Sequence, residues 1–192
     1  MPVLQVRRAP IERTLVHGLS IGGACAASLG VQHPGLRVTF DQSFASLAEV
    51  SLHVGRGLYD QLVVSRAPRS CHTFVRCMQP ILLRVAVFVL LRMLFKTGKG
   101  GTSLCKQDRM DNIAKASLIK GDVFAISAEH DEMMHPDIAR RIVAARYGRQ
   151  ATEMVRARVL CVPGGHCCFF GDVPELAHKY ATYLQTSGFL HG

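Results

Sequence analysis

The chain contains no tryptophan, and none of its cysteines stand in a C-x-x-C spacing. It also lacks an apolar run of the roughly 20 residues that a membrane-spanning helix needs, any internal repeat, and any low-complexity tract. Its seven cysteines (Cys25, Cys71, Cys77, Cys105, Cys161, Cys167 and Cys168) are odd in number. That count and spacing indicate neither a disulfide framework nor a zinc site, and fit reduced thiols in an intracellular compartment. The first 20 residues hold no apolar core of a secretory signal. Arg7, Arg8 and Arg13 faintly resemble a transit peptide, but Glu12 and the motif that follows read as folded structure. The segment KTGKGGTS after residue 95 misses the G-x-x-x-x-G-K-[ST] spacing of a phosphate-binding loop.

What is present is a globular composition. The 192 residues are 48% hydrophobic and 19% charged, enough for one domain with a core of its own. Lys and Arg number 23 against 14 Asp and Glu, a formal charge of +9. The arginines are scattered and no nucleic-acid motif accompanies them. The expectation is therefore no nucleic-acid partner, but a general affinity for anionic surfaces.

The pattern along the chain reads as strands alternating with helices. Short strands are expected at 13–17, 36–40, 123–128 and 159–162, and helices at 21–31, 136–147 and 174–186. Residues 44–64 read as mixed and helical. The stretch 65–80, with Pro68 and Pro80 and several basic residues, reads as a loop. Strands alternating with helices predict a parallel α/β sheet, and the apolar third and fourth strands fit a sheet covered on both faces. The run ILLRVAVFVLLRMLF, from Ile81 to Phe95, has 13 apolar residues interrupted by Arg84 and Arg92. A buried or cap helix is its plain reading. A membrane-surface helix stands beside it, because arginine and lysine side chains can reach headgroups from an apolar helix. A true span is the least fitting.

Chemistry enters at residues 15–30, LVHGLSIGGACAASLG. A strand-like run meets Gly18-Leu19-Ser20-Ile21-Gly22, then a run of small residues that reads as a helix. This is the G-x-S-x-G spacing of a strand-turn-helix nucleophile elbow, in which Gly18 and Gly22 are where a tight turn and close packing tolerate no side chain. The plain alternative for Ser20 is a helix cap. A serine hydroxyl needs an imidazole to take its proton and a carboxylate to orient that imidazole. In an open α/β sheet such groups gather beyond the carboxyl ends of the strands. Asp131 follows the third strand and His166 the fourth, giving the chain order Ser, Asp, His. Asp131 competes with Asp41, Glu129 and Glu132, any of which could be a solvated acid at a helix start. His166, preceded by two glycines, competes with His130, His135 and His178.

On these residues the chain resembles an α/β-hydrolase of the serine aminopeptidase-like kind. The matching pieces are HGLSIGGACAASLG, FDQSFASLAEV, DNIAKASLIKGDVFAISAEHDEMMHP and VPGGHCCFFGD. The resemblance runs from residue 13 onward, with residues 66–110 poorly matched. It implies Ser20 as nucleophile, Asp131 as acid, His166 as base, and the Ile21 backbone N–H as one donor to the oxyanion hole. It implies no metal and no cofactor. The family usually carries several strands and a helix before the elbow, including a loop that supplies the second oxyanion donor. The expectation is thus a single, amino-terminally truncated α/β-hydrolase domain over 1–192. In it the first strand becomes a sheet edge, and 65–110 forms a helical, cap-like or membrane-facing insertion.

The reading is a serine hydrolase cleaving carboxylic ester or thioester bonds of acyl or lipid substrates. A serine peptidase of the prolyl-oligopeptidase or aminopeptidase-like class stays open, as does a catalytically inactive fragment that binds a partner. The expected location is the cytoplasm or the periphery of a membrane, with contact through residues 81–95.

Overall fold

A computed structural model of the chain describes residues 10–95, 110–166 and 174–186. Arg7, Arg8, the loop at 96–103, Cys105, Cys167 and Cys168 lie outside the described residues. The chain divides into two compact units, one of Met1–Ser43 with Asn112–Gly192, the other of Phe44–Asp111.

The first unit is built on four parallel strands in the order β1-β2-β3-β4: β1 (Leu15–Leu19), β2 (Arg37–Asp41), β3 (Val123–Ala128) and β4 (Val159–Val162). The pairs Val16↔Val38, Phe40↔Ala125 and Ala128↔Val162 set the register. β1 and β4 are the outer strands. β3 is buried at all six positions, as a run apolar but for Ser127 requires of a strand covered on both faces. The core is Val38, Phe40, Phe124, Ile126 and Val162, covered by Ala24 and Ala27 of α1 (Gly22–Gln32). It is bounded also by Ile138, Ile142 and Val143 of the helix Asp137–Tyr147. The small residues of α1 let it lie close to the sheet. A Cβ on Gly30 would stand 2.6 Å from Val38 Cγ2.

The second unit pairs α2 (Leu47–Tyr59) with α3 (His72–Phe95). Ser46 caps α2 by accepting the Glu49 N–H at 3.2 Å, one half of a capping box. The loop expected over 65–80 is corrected here. Irregular backbone holds only over residues 65–68, a 3-10 turn follows at Arg69–Cys71, and α3 begins at His72 and carries Pro80 in its interior. Proline in a helix costs one hydrogen bond and a steric adjustment. The apolar residues on both sides of Pro80, with Leu83 and Val87 buried, hold the helix together across it.

Returning to the first unit, α4 (Asn112–Ala116) leads into β3, α5 is Asp137–Tyr147, α6 (Thr152–Ala157) precedes β4, and α7 is Pro174–Thr186. Helices α4 and α6 are short and were not foreseen. At five and six residues they have too few turns to show a helical period.

Candidate active site

The elbow at Ser20 is strained. β1 runs through Leu19, α1 begins at Gly22, and the reversal between them is carried by Ser20 with φ at 51°. That left-handed conformation disfavours any side chain but glycine. It is held from several sides. The Ser20 N–H donates to the Asp41 carbonyl at 2.8 Å, the Gly23 N–H donates back to the Ser20 carbonyl at 3.1 Å, and the Ser43 hydroxyl donates to that same carbonyl.

The glycines around it do not share the roles expected of them. A Cβ on Gly18 would lie 2.5 Å from the Gly22 carbonyl oxygen, so Gly18 is required by close backbone approach. Gly22 is a correction: a Cβ there meets nothing within 4 Å. The crowded position is Gly23, where a Cβ would fall 1.8 Å from Ser43 Oγ. Because β1 passes through Gly18, the turn starts later than the motif spacing implied, and the packing constraint moves one residue along the helix.

Asp131 and His166 reach the same end of the sheet. The loops after β3 and β4 keep pairing beyond the strands, with Glu129 N–H donating to the Val162 carbonyl at 2.9 Å and His130 N–H to the Gly164 carbonyl at 3.0 Å. Gly164 turns the second loop with φ at 117°, a conformation that suits only glycine. His166 Nδ1 then lies 2.9 Å from Asp131 Oδ2, and His166 Nε2 lies 3.1 Å from Ser20 Oγ. A carboxylate only accepts, so Nδ1 carries the proton and Nε2 accepts from the serine hydroxyl. The Asp131 side chain is 1% exposed and that of His166 10%.

The competing residues lie elsewhere. Glu129, Glu132 and His130 are exposed on the loop, and His178 is exposed on α7. His135 Nδ1 accepts the Asp137 N–H at 3.2 Å at the start of α5. Asp41 faces a different histidine. Its Oδ2 is 2.9 Å from His17 Nε2, while His17 Nδ1 is 3.0 Å from the Tyr180 hydroxyl. Burial raises the Tyr180 hydroxyl pKa above its usual value, reinforced by the Asp41 charge and opposed by a hydrogen bond to Thr39. Sequence reasoning did not anticipate this second His–Asp pair. No local pattern marks it, because the pair forms only once β1 and β2 lie side by side, with His17 beside Thr39 and Leu19 beside Asp41. Ser43 was missed as well, and no local pattern marks it.

The Ile21 N–H donates to no backbone carbonyl among the described residues, and its side chain is exposed. Among the described residues no group of three or more His, Cys, Asp or Glu side chains converges as a metal site. The arrangement supplies a hydroxyl, an imidazole and an anchored carboxylate in line, beside the amino terminus of α1.

No family model matches the chain, and no curated protein matches it. Solved structures do resemble it. A proline iminopeptidase from Mycobacterium smegmatis aligns with a TM-score of 0.50 at 17% identity, over 91% of this chain and 66% of its own. An esterase from Pyrococcus furiosus aligns at 0.48 and 12% identity, over 90% of this chain and 52% of its own. An enol-lactonase from Burkholderia xenovorans aligns at 0.46 and 19% identity, over 91% and 66%. The chain therefore spans between about half and two-thirds of the length of these structures. Its four parallel strands with flanking helices, in this order, are part of the α/β-hydrolase fold.

Proposed function

We propose that this chain is a serine hydrolase that cleaves acyl esters or thioesters through a covalent acyl-enzyme. The observation that carries the reading is the continuous line Ser20 Oγ, His166 Nε2, His166 Nδ1, Asp131 Oδ2, with steps of 3.1 and 2.9 Å, starting from a serine held at positive φ. Ser20 Oγ attacks the acyl carbonyl carbon as its proton passes to His166 Nε2. The imidazolium so formed is stabilised by the Asp131 carboxylate. The negative charge on the tetrahedral oxygen is received by the Ile21 N–H, aided by the amino terminus of α1. Collapse breaks the ester or thioester bond, and His166 returns the proton to the departing alcohol or thiol. Water, deprotonated by His166, then releases the acyl group and restores Ser20.

The exposed apolar face of α3 in the same chain supports lipophilic acyl substrates. A peptidase reading rests on the same three residues, because the fold and the catalytic line serve amides equally. The test is labelling of the folded chain with a fluorophosphonate, followed by turnover of p-nitrophenyl acyl esters against aminoacyl amides. Labelling abolished by Ser20→Ala, with preference for esters, is the expected result. Preference for amides would replace the ester reading by a peptidase. A folded chain that stays unlabelled would leave a binding protein.

A further inference from the structure

Helix α3 carries an exposed apolar surface that forms no part of the Ser20, His166 and Asp131 line. One side of it packs in the second unit, where Leu83 and Val87 are buried. The opposite side holds Phe74, Ile81, Leu82, Val85, Phe88 and Val89, which are between 47% and 69% exposed. From Ile81 onward these stand at i, i+1, i+4, i+7 and i+8, a single stripe on a helix of 3.6 residues per turn. By length and composition Arg69–Val89 could cross a membrane.

The charge around this stripe has one sign. Residues 61–107 contain eight Lys and Arg and no Asp or Glu. Arg66, Arg69, Arg76 and Arg84, the four of these with described side chains, are all exposed. A second copy of the chain would bring the same positive charge to the same face. A nucleic acid would engage the arginines and leave the aromatic and aliphatic stripe in water. An anionic bilayer satisfies both, offering headgroups to the arginines and hydrocarbon to the stripe.

We infer that α3 docks on the surface of an anionic membrane, lying in the interface with the Phe74–Val89 stripe inserted and the arginines among the headgroups. It lies on the bilayer and does not cross it. The buried side of α3 is occupied by α2, whose own exposed residues include His53 and Arg56, with exposed Asp60 directly after it, and these would have to enter hydrocarbon in a span.

The experiment uses the whole chain and vesicles of phosphatidylcholine alone or mixed with phosphatidylserine. Sedimentation with the mixed vesicles and release as salt rises are expected. Val85→Ser with Phe88→Ser should lower the partition coefficient by about a hundredfold, since each exchange removes one inserted apolar side chain. Arg66→Gln with Arg69→Gln should lower it by about twentyfold. Because the chain has no tryptophan, Phe88→Trp provides a single reporter whose emission should shift to the blue with mixed vesicles. Binding unaffected by the serine exchanges, an unshifted Trp emission, equal binding to neutral vesicles at all salt concentrations, or retention in the membrane after alkaline carbonate washing would each overturn the proposal. So would self-association or RNA binding in the absence of vesicle binding.

Discussion

The two oxygens of Asp131 are divided between different tasks: Oδ2 faces His166 Nδ1 at 2.9 Å, while Oδ1 accepts the N–H groups of Met133 and Met134 at 2.9 and 2.8 Å. The carboxylate is thereby fixed by its own loop before it meets the imidazole. Asp131→Asn can keep the oxygen that accepts the two N–H groups and turn its amide toward His166, which then holds the wrong tautomer. The fold should survive and ester turnover should fall by about 10⁴, the size seen for the same exchange in a serine protease. Glu129→Gln and Glu132→Gln, both exposed, should change turnover by less than about tenfold, because neither is the carboxylate that His166 Nδ1 meets. Steady-state rates of the three variants decide it. Near-normal turnover in Asp131→Asn alongside loss in a Glu variant would move the acid elsewhere.

Gly18 and Gly22 should separate on alanine substitution. Gly18→Ala places a methyl group 2.5 Å from a backbone carbonyl, where nothing flexible can yield, and should cost at least about 2–3 kcal/mol of stability. Gly22→Ala meets open space and should be neutral or stabilise by up to about 1 kcal/mol through lower unfolded-state entropy. Urea unfolding of the two variants is the measurement, and equal destabilisation would contradict the geometry.

The pair of His17 and Asp41 lies beneath the elbow, since the Asp41 backbone carbonyl accepts the Ser20 N–H while its side chain meets His17 at 2.9 Å. Asp41→Ala leaves the backbone bond in place and strips the imidazole of its acceptor. The expected loss is about 1–2 kcal/mol, the cost of removing a buried carboxylate from a half-exposed imidazole. Thermal unfolding should show it. Fluorophosphonate labelling at a temperature where the variant remains folded should persist, because the acid paired with His166 is Asp131.

Tyr183 has a hydroxyl that is buried without a hydrogen-bond partner among the described residues, and its ring meets Phe124 edge-on with centroids 5.4 Å apart. Burial first, with neighbouring Tyr and Asp groups reinforcing it and Arg158 opposing it, pushes its pKa well above the ordinary 10.0. A raised folded-state pKa means that stability does not depend on this group's ionisation below about pH 10 and falls as pH climbs above that value, because the unfolded chain loses the proton first. Tyr183→Phe keeps the ring and removes the orphan group. It should raise stability near neutral pH by about 1 kcal/mol and shift the onset of alkaline unfolding upward. A variant that is less stable at pH 7 would show that the hydroxyl has a partner after all.

Several features were legible in the sequence because they are local. β3 and β4 begin and end where their apolar runs do, at Val123–Ala128 and Val159–Val162, but only β3 is covered on both faces as such a run suggests, because β4 is an outer strand with Cys161 exposed. The chain order of Ser20, Asp131 and His166 could be read because each stands just beyond the end of such a strand. The interruption at Pro80 misled for an equally local reason. Proline opposes helix in isolation, and only the buried contacts of Leu83 and Val87 on the folded unit override it.

The rest depended on distances that span the chain. Glu129, Asp131 and Glu132 are equivalent by composition and spacing. Asp131 differs because two N–H groups of its own loop hold it and the β4 loop brings His166 within 2.9 Å from 35 residues away. Likewise the sequence contains three glycines near the elbow, but which of them must be glycine follows from how closely α1 approaches Gly18 and Ser43. The sequence alone determined the kind of fold and the chemical types at the strand ends, since both follow from periodicity and short-range preference. Tertiary structure alone decided which side chains meet, because hydrogen bonds and steric exclusion act over a few ångströms between residues that are far apart in the chain.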